Sequence, residues 1–206
     1  MALPEEMVGG ISQTAAPARP ARAVSPRVDV SVPQSSIGIV APFDFALDRE
    51  LWRLVPDEVT LHVTRTPYVD LEVSIELAHE VADIEAVGRS VRDLAVVKPA
   101  VTVYLCTSGS FVEGLSGEAG LRTVMESRGA ARAITTSGAL LEALRVLGVR
   151  RIGVGTPYDL ALTARLEAFL LEAGIEPVQG AYLGLSGDIP RVSSDTVRDL
   201  ARAACA

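Results

Sequence analysis

Short apolar runs alternate along the chain with longer segments in which apolar residues recur every three or four positions. The short runs predict strands at residues 37–41, 59–64, 101–105, 131–134, 151–154 and 178–183. The periodic segments predict helices at residues 43–54, 73–97, 138–147, 159–173 and 194–204. Strands that alternate with helices form βαβ units, so the pattern predicts an α/β fold with parallel sheets.

An internal repeat extends this prediction. Residues 37–51 align without gaps on residues 152–166, an offset of 115 positions, and seven of the fifteen aligned residues are identical. Any two strand-turn-helix units can share an apolar pattern, but here a proline and an aspartate of the turn also match. We therefore predict two pseudo-symmetric Rossmann-like halves, each contributing its strand-end loops to a shared cleft.

The repeat and the local composition predict three segments. Residues 1–35 contain a proline-, alanine- and arginine-rich stretch without a helical or strand period, which is typical of a disordered extension. Residues 36–133 form the first half, and residues 134–206 form the second. Adding the offset of 115 to position 106 gives position 221, beyond Ala206, so we expect the second half to be incomplete at its C-terminal end.

Composition narrows the function classes. With 19 basic and 26 acidic residues the net charge is −7, which argues against a nucleic-acid surface. No apolar run is long enough to span a bilayer, so we expect a soluble, cytoplasmic protein. Two cysteines exclude a disulfide scaffold, and His62 and His79 lack the spacing of metal ligands. The chemistry must therefore come from carboxylates, hydroxyls or a thiol, without a metal.

The segment 105–111, LCTSGSF, is the strongest candidate site. It places Cys106 directly after a buried strand, at the sheet edge where open α/β proteins bind ligands. The small residues that follow offer hydroxyls and backbone amides for a carboxylate or an oxyanion. The same donors would lower the pKa of the Cys106 thiol. Alternatively, Cys106 is only a small core residue.

Two further groups are weaker candidates. Thr135, Thr136 and Ser137 lie at a strand end and a helix start, where an anion could bind, although plain N-capping by Ser137 explains that residue equally well. Tyr158, in the motif GTPYD, could direct its phenol into the cleft. The matching turn residues Asp44 and Asp159 are most simply helix N-caps.

Together, CTSGSF, the stretch TTSGALLEALRVLGVRRIGV and the motif GTPYD resemble the maleate cis-trans isomerase and arylmalonate decarboxylase group of the aspartate/glutamate racemase superfamily. The stretch PFDFALDRELW resembles the branch associated with ectoine utilisation. The resemblance runs from about Ser36 to the C-terminus. It implies two α/β halves around one active site, no metal or organic cofactor and a small carboxylate substrate. A missing strand would leave an unpaired sheet edge that can pair with other chains, so we also expect a homo-oligomer.

The resemblance also assigns roles. It implies that Cys106 is the catalytic cysteine; decarboxylases typically have glycine there. The substrate-binding residues would be Thr107, Ser108, Tyr158, Thr136, Ser137, Pro42 and Phe43. Maleate isomerases usually carry asparagine in the loop of Pro42 and Phe43, and the family's second cysteine has no counterpart, since Cys205 lies too early.

We therefore expect an isomerase of a small (di)carboxylate that uses a cysteine nucleophile. The alternatives are a racemase, an arylmalonate decarboxylase-like enzyme, or a non-catalytic carboxylate-binding protein.

Overall fold

The computed structural model describes residues 35–205, which belong to one compact unit, Val32–Ala206. The predicted extension, residues 1–35, lies outside the described residues except for Ser35, which begins the first strand. Within residues 35–205, no helix combines the length and the apolar character that crossing a bilayer requires.

The described chain contains six strands and eight α-helices, and each strand is followed by one or two helices. The strands are β1 (Ser35–Ala41), β2 (Val59–Arg65), β3 (Val101–Tyr104), β4 (Ala133–Thr135), β5 (Arg151–Thr156) and β6 (Glu176–Tyr182). The helices are α1 (Asp48–Leu54), α2 (Ile75–Val81), α3 (Ile84–Ala95), α4 (Thr107–Phe111), α5 (Gly114–Ser127), α6 (Thr136–Val146), α7 (Leu160–Glu172) and α8 (Ser194–Ala204). The predicted α/β class is confirmed.

Two parallel sheets carry these strands. The first has the order β2-β1-β3-β4, and the second pairs β5 with β6. In the first sheet Val40 of β1 lies opposite Tyr104 of β3, so Pro42 and Cys106 follow at the same edge. The C-terminal ends of the strands thus form one rim, which is where the predicted loops lie.

The repeat has a structural counterpart. In both copies the first strand pairs in parallel with the next strand along the chain. The shared glycines explain part of the identity, because each is in close contact with a helix. A Cβ on Gly38 would lie 3.2 Å from Leu94 of α3, and one on Gly153 would overlap the carbonyl oxygen of Ala204 in α8. The predicted parallel sheets in two α/β units are therefore confirmed, while the domain boundary at 133/134 stays a prediction.

Three helix predictions were wrong. The segment 73–97 forms two helices, because Asp83 accepts a hydrogen bond from Ala86 N–H and thereby starts α3. The first helix begins at Asp48 rather than near position 43, since Arg65 donates to the carbonyl of Phe45 and holds the preceding residues in a turn. Helices α4 and α5 were missed, because α4 is only five residues long and the five glycines and serines of α5 obscure its apolar period.

The cores of the two sheets meet near the rim. One cluster of buried residues joins Val40, Tyr104 and Cys106 to α2 and α3, and a second surrounds Phe169 of α7. Val73 packs against both clusters and donates its N–H to the carbonyl of Ser186. Val73 therefore links the two core clusters.

Candidate active site

Cys106 lies between the last residue of β3 and the first residue of α4. Its side chain is nearly buried, and Sγ is 3.7 Å from the Ser108 hydroxyl. The backbone N–H of Gly109 also lies near enough to the sulfur to lower the pKa of the thiol. The strand-to-helix turn therefore surrounds the thiol with donors, as the small residues of CTSGSF predict.

The net effect on the thiol is opposite to the expected one. Burial raises the pKa of Cys106, and this outweighs the lowering by Gly109 N–H, the Ser108 hydroxyl and the Tyr104 hydroxyl. The carboxylate of Asp44 raises it further by electrostatic repulsion of a thiolate. The expectation of a lowered pKa was wrong because it counted the donors and omitted desolvation.

Ser108 connects the thiol to the second half of the chain. Ser108 is half-buried, and its hydroxyl lies near enough to the Tyr158 phenol to lower the pKa of that phenol. Tyr158 follows β5, is half-buried, and packs its ring against Phe111 at 6.2 Å between centroids. Burial raises the pKa of the Tyr158 phenol, so it stays a neutral hydrogen-bond donor. Thiol, hydroxyl and phenol thus form one polar group at the rim.

The other predicted residues of the first half lie around this group. Pro42 is buried, and Phe43 packs against the cluster that contains Cys106 and meets Tyr68 edge-on, with ring centroids 5.2 Å apart. The Thr107 side chain is exposed, while its backbone carbonyl accepts a hydrogen bond from Ser110. Thr107 can therefore offer its hydroxyl to a ligand without losing a bond within the chain.

Thr136 and Ser137 are committed to the protein itself. The Thr136 hydroxyl donates to the carbonyl of Tyr104 at 3.1 Å. Ser137 is buried, its hydroxyl is 2.6 Å from the Ser110 hydroxyl, and its N–H donates to the same oxygen. Helix α6 is capped by Thr135, whose side chain accepts from Gly138 N–H, so the prediction of Ser137 as the N-cap was wrong. Substrate binding by Thr136 and Ser137 stays a prediction.

The start of α6 already has a carboxylate beside it. Glu118 of α5 is buried and accepts a hydrogen bond from the Thr135 hydroxyl at 2.7 Å. Arg122 completes the group with a bond from Nε to Oε1 of Glu118 at 2.9 Å. A Cβ on Gly138 would lie only 2.6 Å from that oxygen, which shows how closely the carboxylate approaches the helix start. The anion at this helix terminus is therefore the protein's own.

Sequence reasoning missed the roles of Asp44 and Tyr104. Asp44 does not cap a helix, since α1 begins at Asp48; instead it lies in the β1–α1 loop near enough to raise the pKa of both Cys106 and Tyr158. Asp159, in contrast, caps α7 as predicted. The repeat hid this difference because identical turn residues suggested identical roles. In the described part of the chain, no three His, Cys, Asp or Glu side chains are grouped as metal ligands.

Comparison with known proteins assigns the family. A sequence model described as arylmalonate decarboxylase matches residues 73–206, well over half of the chain. The chain belongs to the arylmalonate decarboxylase family. The resemblance stated from the motifs is thereby confirmed.

Two curated relatives of this family member differ in activity. Arylmalonate decarboxylase from Bordetella bronchiseptica is 36% identical over 121 residues, which are 58% of this chain and 50% of that protein. Maleate isomerase from Geobacillus stearothermophilus is 22% identical over 178 residues, which are 84% of this chain and 69% of that protein. The chain thus spans about half the length of the first relative and about two thirds of the second.

Solved structures show the same fold. A liganded double mutant of arylmalonate decarboxylase superimposes with a TM-score of 0.76 and 32% identity, covering 83% of this chain and 72% of that one. The Nocardia farcinica maleate cis-trans isomerase superimposes with a TM-score of 0.72 and 24% identity, covering 82% and 72%. The aspartate/glutamate racemase-like fold is therefore shared with enzymes of both activities.

Proposed function

We propose that this family member is a cofactor-independent isomerase of a small cis-unsaturated dicarboxylate, with Cys106 as the nucleophile. The observation that carries the proposal is the grouping of Cys106, Ser108 and Tyr158: Sγ of Cys106 is 3.7 Å from the Ser108 hydroxyl, and both residues influence the pKa of the Tyr158 phenol. The group places the Cys106 thiol, as nucleophile, next to two neutral hydrogen-bond donors, the hydroxyls of Ser108 and Tyr158.

The chemistry follows from conjugate addition. The Cys106 thiolate forms a C–S bond to one alkene carbon, and the π-electron pair moves onto the adjacent carboxylate to give an enediolate. Thr107, Ser108 and Tyr158 would donate hydrogen bonds to its oxygens. The former C=C bond is now a single bond, so the two carbons can rotate about it. Return of the electron pair and departure of the thiolate then give the trans diacid without net proton transfer.

A relative's structure supports the covalent step. The Nocardia farcinica enzyme was captured with a covalently bound succinylcysteine, the kind of adduct that addition of a thiol to a four-carbon unsaturated diacid gives. A Pseudomonas putida maleate isomerase was captured with maleate. Both share the fold of this chain, so a small dicarboxylate is the substrate class we propose.

One observation favours a second candidate, decarboxylation of a 2-substituted malonate. Because burial raises the pKa of Cys106, the thiol is mostly protonated at neutral pH and could act as a proton donor. The C–C bond to one carboxylate would break, carbon dioxide would leave, and the electron pair would form an enediolate. Cys106 would then transfer its proton to the α-carbon.

Deuterium labelling separates the two candidates. The protein is incubated in D2O with a cis-unsaturated diacid or with a 2-arylmalonate, and the products are analysed by NMR. Isomerisation gives a trans diacid that keeps both carboxylates, whereas decarboxylation gives a monoacid with one deuterium at the α-carbon. Cys106→Ser should abolish either reaction, and Cys205→Ser, which changes the exposed second thiol, should not. Turnover that survives Cys106→Ser would refute both.

A further inference from the structure

Tyr104 is a buried phenol that the proposed mechanism does not use. It ends β3, its side chain is fully buried, and it belongs to the same cluster as Cys106 and Val81. Its hydroxyl donates a hydrogen bond to the backbone carbonyl of Val81, the last residue of α2, at 2.8 Å. Phenylalanine would fill the same apolar core, so the hydroxyl of Tyr104 is not explained by packing alone.

The hydroxyl lies beside the sulfur. Cys106 follows the end of β3 by two residues and keeps an extended backbone, with φ −134° and ψ 114°, so its side chain points to the same side as that of Tyr104. Both groups border Gly109, because a Cβ there would collide with the Tyr104 hydroxyl and lie 3.3 Å from Sγ of Cys106. The absence of a side chain at Gly109 therefore leaves a space that the phenol and the thiol both line.

Whether Tyr104 and Cys106 can both form hydrogen bonds depends on the charge of the sulfur. A phenol can donate one hydrogen bond, and in this structure the Val81 carbonyl accepts it. A neutral thiol can donate its own proton to the phenol oxygen, so both groups are satisfied. A thiolate has no proton, and a bond between the two groups then requires the phenol to donate to the sulfur.

We propose that Tyr104 is a positioning residue whose hydroxyl turns from the Val81 carbonyl to Sγ of Cys106 when the sulfur becomes an anion. Hydrogen bonds to an ionised acceptor are roughly twice as strong as neutral ones, and burial strengthens them further. The exchange leaves a carbonyl at the end of α2 without its partner, a smaller loss than an unpaired buried thiolate. The inference rests on the proposed nucleophilic role of Cys106.

The test is the pH dependence of Cys106 alkylation in a Cys205→Ser background, where Cys106 is the only thiol. Iodoacetamide rates are measured from pH 6 to pH 10 for this background and after adding Tyr104→Phe. If Tyr104 donates to the thiolate, Tyr104→Phe moves the midpoint of the profile to higher pH and lowers the rate at pH 7 about tenfold, since one pKa unit is a tenfold change in thiolate. Tyr182→Phe, at a half-exposed tyrosine, should leave the profile unchanged.

The sign of the shift decides the inference. If Tyr104 only supports the Val81 carbonyl, Tyr104→Phe lowers thermal stability without moving the midpoint upward, and the inference is overturned. If Tyr104→Phe fails to fold, 3-fluorotyrosine placed at position 104 keeps the shape and makes the phenol a stronger donor. It should move the midpoint to lower pH, and an unchanged or higher midpoint would again overturn the inference.

These readouts need no substrate. Failure of the wild-type chain to convert any diacid would refute the proposed function and leave the alkylation profiles interpretable. Conversely, a wild-type enzyme that isomerises with an unchanged Tyr104→Phe profile would keep the proposed function and refute only the role of Tyr104.

Discussion

Glu118→Gln tests whether the buried carboxylate at the start of α6 stabilises the fold. The substitution keeps the size of the side chain and removes its charge. It weakens the charge-assisted bond from the fully buried Thr135 hydroxyl, worth about 1.5–3 kcal/mol, and the interaction with the α6 N-terminus, worth about 0.3–1 kcal/mol. The Arg122 side chain is 46% exposed, so its pairing adds about 0.5 kcal/mol or less.

The amide oxygen of glutamine can still accept from the Thr135 hydroxyl, so about half of that bond is lost. We therefore expect Glu118→Gln to lower the free energy of unfolding by about 1–2.5 kcal/mol. In a chain of this size such a loss lowers the Tm by roughly 2–10 °C. The assay is urea and thermal unfolding followed by circular dichroism. The matched control is Glu142→Gln on α6, whose carboxylate is exposed and pairs only with Arg145, and which should stay within the scatter of the measurement.

A third variant examines the site itself. Glu118→Ala removes the carboxylate and leaves space beside the α6 N-terminus, so added acetate should raise the Tm of this variant more than that of the wild type by binding only the native state. The reasoning is refuted if Glu118→Gln is as stable as Glu142→Gln. It is also refuted if acetate affects the wild type and Glu118→Ala equally.

Three further predictions concern single residues. Asp44→Asn should lower the pKa of Cys106, because it removes a carboxylate that opposes the thiolate, and should speed Cys106 alkylation at pH 7 in the Cys205→Ser background; a slower rate would contradict it. Thr102→Val should leave the free energy of unfolding unchanged or raise it by about 1 kcal/mol in urea titrations, since the buried Thr102 hydroxyl has no hydrogen-bond partner among residues 35–205. A clear loss of stability would contradict this prediction. Gly153→Ala should lower that free energy by about 1–3 kcal/mol, because the new methyl group overlaps the Ala204 carbonyl and α8 must shift; wild-type stability would show that α8 packs differently.

The strands and the helices α6, α7 and α8 could be predicted because they depend on local periodicity. Buried parallel strands are apolar runs whatever their neighbours are, and α7 and α8 carry their start signals in Asp159 and Ser193, within one residue of the first helical turn. The repeat was visible for a related reason. The close contact of a helix with the first strand of each half requires glycine at both Gly38 and Gly153, so the packing appears directly as sequence identity.

The break between α2 and α3 could not be read from the apolar pattern. The period of three to four residues continues through Ala82, since both helices contribute apolar residues to the same core cluster. What starts the second helix is the bond that Asp83 accepts from Ala86 N–H, and aspartate is also an ordinary exposed helix residue. Periodicity reports which face is buried and does not report whether the backbone is continuous.

For the candidate site, the sequence determined the position of Cys106 at a strand end with small donors after it, because chain order alone places those groups together. Only the tertiary structure decided their electrostatics. Burial raises the pKa of Cys106 above what its donors alone would give, Asp44 raises it from another loop, and the nearby Tyr104 hydroxyl lowers it. Desolvation and charge act through space and depend on every element packed around the thiol, and no local pattern in the chain records that packing.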